Sequence, residues 1–218
     1  MKILALEFST GRRSVAVIDA DRIRARAKES GTRARGALGL VESALREAEL
    51  EREQVDCVAV GLGPGSYTGI RSAIALAQGW QLARATRTTG VSSVECLAAT
   101  AHAETISGRV NIVIDAQRNE FYLAAYEIGA AGWREVGPLR LARLDEVRAL
   151  VDGSEKIIGP DSAEWFAGAR TLFPDAAVLG QLAGRRNDFL PAEKLEPIYL
   201  REIAFVKAAP PRAIPAGQ

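Results

Sequence analysis

The residues best suited to chemistry in this 218-residue chain are in the run GLGPGSYTG, Gly61 to Gly69. It follows a short apolar run, Val55 to Leu62, and leads straight into IRSAIALAQGWQLAR. A strand, a Gly/Pro-rich turn and a helix start make up an anion cradle, because glycine lets the backbone come close and amides at a helix N-terminus attract negative charge. The run lacks the Lys and Ser/Thr pair of a Walker A loop and the spacing of a dinucleotide fingerprint. A purely structural turn, capped by Ser66 or Thr68, explains the same residues. Two acidic residues, Glu7 and Asp115, each follow apolar strand residues at a hairpin connection. The single histidine, His102, excludes any zinc or iron site that needs two imidazoles and leaves one candidate histidine base. Cys57 and Cys96 have no histidine or cationic neighbourhood to activate them and are expected in the interior, in a reducing compartment.

The elements that must position these groups can be read from periodicity. Lys2 to Phe8 and Ser14 to Asp19 alternate about a turn at Ser9-Thr10-Gly11, which predicts a hairpin. Arg22, Arg24, Arg26 and Lys28 fall at every second position and predict a third strand with one basic face. That face is either a solvated, charge-protected edge or a rail for RNA phosphate. Leu38, Val41, Leu45 and Ala48 recur at helical spacing, although Gly36 and Gly39 weaken the first turns by about 1 kcal/mol each. The helix from Ile70 to Ala83 is apolar around nearly its whole circumference, so it is expected to be buried on two sides, one of them by a partner.

A strand Thr86 to Val91 and a capping box Ser92-Ser93-Val94-Glu95 close the first lobe. Strands Val110 to Ile114, Phe121 to Tyr126 and Trp133 to Leu139 open the second. A helix Leu144 to Val151, a strand Lys156 to Gly159, a helix Ser162 to Leu172 and a short strand Pro197 to Leu200 follow. The expected division is a lobe over 1–105, a lobe over 106–209 and a mobile, proline-rich tail over 210–218.

Composition narrows the function. Hydrophobic residues make up 48% and charged residues 25%, with a net charge of +1. Lys and Arg number 14 against 12 acidic residues up to Thr105, and 14 against 15 beyond it. Neither lobe carries the field of an autonomous nucleic-acid binder. The start MKILALEFS is too short and too interrupted for a signal peptide, and no apolar run approaches the roughly 18 residues of a membrane span. A cytoplasmic protein with no membrane attachment is expected.

Two lobes that each open with a hairpin and an acidic turn suggest an α/β, two-lobed ribonuclease-H-like fold, that of the actin, sugar kinase and Hsp70 (ASKHA) clan. In that clan the two hairpins hold a nucleotide phosphate between the lobes. Five ordered blocks then resemble the bacterial TsaB (YeaZ) family: ILALEFSTGRRSVAVID, GLGPGSYTGIRSAIALAQGWQLA, GVSSVECLA, IDAQRNEFYLAAY and EPIYLRE. The resemblance implies a non-catalytic scaffold or activator in the synthesis of threonylcarbamoyladenosine, the modified base beside the anticodon of tRNAs that read codons beginning with A. Its implied partners are the catalytic paralogue TsaD and the ATPase TsaE. A homodimer is expected when the chain is alone, and contact with tRNA is expected only indirectly, through the complex.

The resemblance also assigns residues. Aligned on Val91, the paralogue's metal-binding histidine pair falls on Ser93 and Leu97, so no metal is expected. Glu7-Phe8 stands where relatives usually carry Asp-Thr, and Arg33 and Gly39 stand near positions that often hold a histidine and a proline. No cofactor is expected to bind tightly. Weak contact with ATP or ADP inside the complex would fall to Ser9, Thr10, Gly63, Gly65 and Ser66, with Asp115 on the opposite lip. The implied partner interface is Leu38, Val41, Leu45, Ile70, Ala73, Ile74, Ala77 and Trp80. The rival reading is a small ATP-dependent kinase or transferase of the same clan, with Glu7 or Asp115 as its carboxylate base.

Overall fold

In a computed structural model, residues 1–31 and 36–201 are described. Arg33 and the 210–218 tail lie outside them. The predicted hairpin forms from β1 (Lys2–Glu7) and β2 (Arg12–Asp19), followed by β3 (Arg22–Ser30), α1 (Gly36–Glu47), β4 (Cys57–Gly61), α2 (Tyr67–Arg84), β5 (Arg87–Val91) and α3 (Ser93–Ala103). The strands make one mixed sheet in the order β3-β2-β1-β4-β5. β1 pairs antiparallel with β2 and parallel with β4.

The second half repeats this plan with β6 (Gly108–Asp115), β7 (Glu120–Gly129), β8 (Gly132–Arg143), α4 (Leu144–Asp152), β9 (Lys156–Gly159), α5 (Ser162–Trp165) and β10 (Arg170–Thr171). Its order, β8-β7-β6-β9-β10, is the first sheet's order over again. Glu7 and Asp115 are therefore equivalent: each is the last residue of its sheet's central strand.

Strand alternation decides the layers, because successive side chains point to opposite faces. Leu4 and Leu6 join α1 and α2 in one core, while Ile3 and Ala5 join a core on the other face. That second core is built from α3, which lies between the two sheets, and from α6 (Ala176–Gly184), which packs on the first sheet and on α3. Helix α3 serves both sheets: Cys96 and Ala99 face the first, and Val94, Leu97, Ala98 and Ala101 face the second.

The expected lobe boundary is corrected here. Helix α6 belongs by sequence to the second half, yet it packs on β1 and β2 of the first sheet. The chain then stays on the first lobe, where the Leu190 amide donates to Thr88 O and the Ile198 amide to Leu62 O. The strand expected over Pro197 to Leu200 does not form; the Ile198 amide makes this single bond to β4's end instead.

Three local expectations also change. The helix expected over Ser162 to Leu172 stops at Trp165, because Phe166 turns into the core against Phe121 and Gly168 takes a left-handed φ of 82°. Ser92 caps α3 by accepting from the Val94 amide, but Glu95 pairs with Arg186 instead of closing a capping box. The basic stripe is broken by a bulge in β3 opposite Val17 and Ile18. Ile23 joins the α6 side while Ala25 and Ala27 join the α1 side, so Arg22 and Arg26 do not share a face.

Helix α6 seats itself through Gly180, where an added Cβ would lie 2.5 Å from Ile18 Cγ1 and 3.1 Å from Ala5 Cβ. Gly180→Val is expected to lower unfolding free energy by about 1–3 kcal/mol, the usual range for overpacking. Urea unfolding of the two proteins measures it.

Candidate functional site

The carboxyl ends of β1 and β6 meet at a cleft of about 420 Å³. Ser9, Thr10, Gly65, Ser66 and Asp115 all line it, so five of the six residues expected at a nucleotide come together. Gly63 does not line it. Its amide donates to Ser93 Oγ at 3.2 Å and its carbonyl accepts from the Ser93 amide at 2.9 Å, which turns it toward α3. Tyr67, Tyr122 and Asp161 also line the cleft and were missed, because nothing in their spacing marks them.

The glycines of the 61–69 run approach protein backbone closely. A Cβ on Gly65 would collide with Ser9 O, and one on Gly69 with Phe8 O. The Ser66 amide donates to Ser9 O at 2.6 Å, and Ser66 Oγ caps α2 by accepting from the Gly69 amide at 3.3 Å. The β1–β2 turn thus fills the space that the glycines open. Phe8 is fully buried in the α1–α2 core and offers no hydroxyl to the turn. Ser9 Oγ is buried beside the Glu7 carboxyl, where it favours the anion.

Glu7 is fully buried. Its Oε1 accepts from the Ser9 amide at 2.8 Å and its Oε2 from Ser93 Oγ at 2.9 Å, with the carboxyl lying over Gly61, which has no side chain to obstruct it. Burial pushes its pKa above the ordinary range, outweighing the hydrogen bonds that favour the anion, and the nearby Asp175 adds to the rise. A carboxyl tied into three segments of its own chain is not placed to act as a base in the cleft. Asp115 accepts from the Gln117 amide at 2.7 Å and stands at the opposite lip as expected.

The positions aligned with the paralogue's metal ligands are committed to other tasks, Ser93 to the bonds above and Leu97 to the core between the sheets. His102 stands against Trp133, ring centroids 5.6 Å apart. Both cysteines are buried as expected, and burial raises their thiol pKa values, that of Cys57 to about 12.

The expected partner surface needs correction. Val41, Leu45, Ile70, Ala73, Ile74 and Ala77 are no more than 6% exposed and pack inside the first lobe, because a helix lying on a sheet must bury one stripe. Leu38 is exposed and Trp80 half-buried on the outside. The outer side of α2 is nonetheless apolar. Ala75, Leu76, Gly79, Trp80 and Ala83, with Leu38 of α1, line a hollow of about 560 Å³ that Arg52, Glu53 and Arg84 also border. The all-round apolar pattern signalled this face, but assigning its two sides required the sheet.

Two duplicated mixed sheets, with the ends of both central strands meeting at a cleft, define the two-lobed ribonuclease-H-like class of the actin and sugar kinase clan. Residues 33–156 match the family model described as "TsaD: tRNA N6-adenosine threonylcarbamoyltransferase". The tRNA threonylcarbamoyladenosine biosynthesis protein TsaB of Haemophilus influenzae is 25% identical over 97% of this chain and 98% of its own. The Escherichia coli protein of the same name is 32% identical over 58% of this chain and 55% of its own. The solved structure of YeaZ from Pseudomonas aeruginosa is similar with a TM-score of 0.76 and 30% identity, covering 91% of this chain and 99% of that one. The chain belongs to the TsaB/YeaZ family, which takes part in tRNA threonylcarbamoyladenosine biosynthesis.

The buried Glu7 carboxyl makes stability depend on pH. Its folded pKa lies above the ordinary 4.5, so its contribution is complete below 4.5 and is lost as pH rises through the raised value. Glu7→Gln is expected to flatten that loss, read as urea-unfolding free energies between about pH 5 and about pH 8.

Proposed function

We propose that the chain is a non-catalytic subunit that docks on the catalytic paralogue TsaD and, with the ATPase TsaE, activates threonylcarbamoyl transfer to the adenosine beside the anticodon. The observation that carries this reading is the outer face of α2. Leu82 is 90% exposed and Leu38 58%, beside a helix surface of Ala75, Gly79 and Ala83 that permits close backbone approach. Apolar area of this kind, unpartnered in the single chain, suits a helix-on-helix interface with a protein of the same fold. Without TsaD the same face supports homodimerisation.

Two further features support an accessory role. Ser93 and Leu97 stand where the paralogue's metal ligands would align, and the glycine loop is packed by the chain's own β1–β2 turn. Nucleotide contact is therefore proposed to be weak and to depend on assembly. The site of action is the cytoplasm, where TsaD and its tRNA substrate meet.

Gly79 is exposed, with no atom near the position of its missing Cβ. Gly79→Arg replaces a mid-helix glycine, which favours the helix by up to about 1 kcal/mol. The same change sets a charge in the apolar contact and is expected to weaken TsaD binding at least about tenfold. Pull-down and calorimetry with TsaD, beside a thermal melt, measure both effects; full-strength binding by a folded variant would remove this face from the interface. Ala77→Arg, by contrast, is expected to unfold the lobe, because Ala77 is 0% exposed. Mixing the chain with TsaD, TsaE, ATP and the threonylcarbamoyl-adenylate source should yield modified tRNA, and leaving the chain out should abolish it.

A further inference from the structure

The near-neutral total charge hides a strong local imbalance. Between positions 12 and 35 the sequence holds eight of the 28 Lys and Arg against three acidic residues, leaving 20 basic against 24 acidic elsewhere. The described part of this block is β2 and the outer edge strand β3 of the first sheet, where the exposed side chains at positions 22, 24, 26 and 28 are all cationic. Lys28 is paired with Asp175 at 2.5 Å. Arg12 lies over the Phe173 ring and Arg13 over that of Phe8. Among the described residues, no carboxylate lies at ion-pair distance from Arg12, Arg13, Arg22, Arg24 or Arg26.

We propose that this edge, Arg22, Arg24 and Arg26 with Arg12, is a phosphate-contacting surface along which the tRNA handled by the complex lies. The proposal rests on the functional reading above. Three observations carry it. Charge of either sign would protect a sheet edge from pairing, but four exposed positions of β3 carry cations, three of them arginine, whose planar fork grips phosphate, with Glu29 half-buried on the same strand. The bulge at Arg24 distributes the guanidinium groups to both faces, so they flank the open edge. Finally, α1 lies over β3 and β2, which puts the edge beside the apolar face assigned to docking. RNA held there would run alongside the catalytic subunit without entering the interface. The edge is too local a field to bind RNA strongly alone, and it acts as an extension of its partner's RNA surface.

The test is the triple variant Arg22→Glu/Arg24→Glu/Arg26→Glu. All three side chains are exposed, and a thermal melt checks that the fold is kept. Fluorescence anisotropy follows an unmodified tRNA transcript with adenosine beside the anticodon, titrated with the full-length chain alone and with the chain–TsaD complex. The expected result is affinity at least about tenfold weaker and a log K against log salt slope shallower by about 2–3, one phosphate contact for each lost arginine. In the reconstituted reaction, KM for tRNA should rise while TsaD binding is unchanged. Unchanged tRNA affinity and salt slope would overturn the proposal. So would a variant that loses TsaD, which would make the edge a protein interface. If the wild-type mixture fails to modify tRNA, the functional reading fails. If that mixture is active and the triple variant matches its affinity and slope, only the RNA edge fails.

Discussion

The backbone contact between the β1–β2 turn and the glycine loop governs the rest of this molecule. Ser9 O receives the Ser66 amide, and neither Gly65 nor Gly69 has room for even one more carbon against the turn. The contact fixes where α2 begins and so which of its stripes faces the sheet. It also occupies the space through which a glycine loop would approach a phosphate. Beneath it, Glu7 joins the Ser9 amide to Ser93 Oγ, and Ser93 in turn holds the Gly63 amide and carbonyl. The loop, the first hairpin and the start of α3 thus form one unit.

The lobes are joined by exchange of parts. Helix α3 follows the first sheet in sequence and covers the second, and α6 follows the second sheet and covers the first. At the N-terminus of α6, burial opposes charge on Asp175, but Lys28 and the Ala177 amide outweigh it and hold the carboxyl below its usual range. The segment beyond α6 crosses the first lobe, stacks Tyr199 on Tyr67 at 5.6 Å and ends with Arg201 bound to Glu120 and Gln117 O on the second.

Much of this was legible before the structure. The hairpins at Lys2 and Val110, the strand–loop–helix at Gly61 and the helix at Leu38 are local patterns, and local patterns survive folding. Helix α6 was not legible, because a helix buried on most of its circumference has no polar stripe and its run AAVLGQLAG shows no helical period. The two sides of α2 were not separable either: Ala73 and Ala75 are the same residue type, and only the sheet decides that one is buried and the other exposed. The role of the glycines was legible as a need for close approach. What they approach is a long-range fact, since Ser9 and Phe8 lie more than fifty residues away.

The loop that looks built for phosphate is packed by the chain's own β1–β2 turn, and the proposed reading leaves the chemistry to the partner. Isothermal titration calorimetry of the purified chain with ATP tests it most directly. The account predicts no binding, or binding far weaker than micromolar, without TsaD. Submicromolar affinity by the chain alone would contradict it.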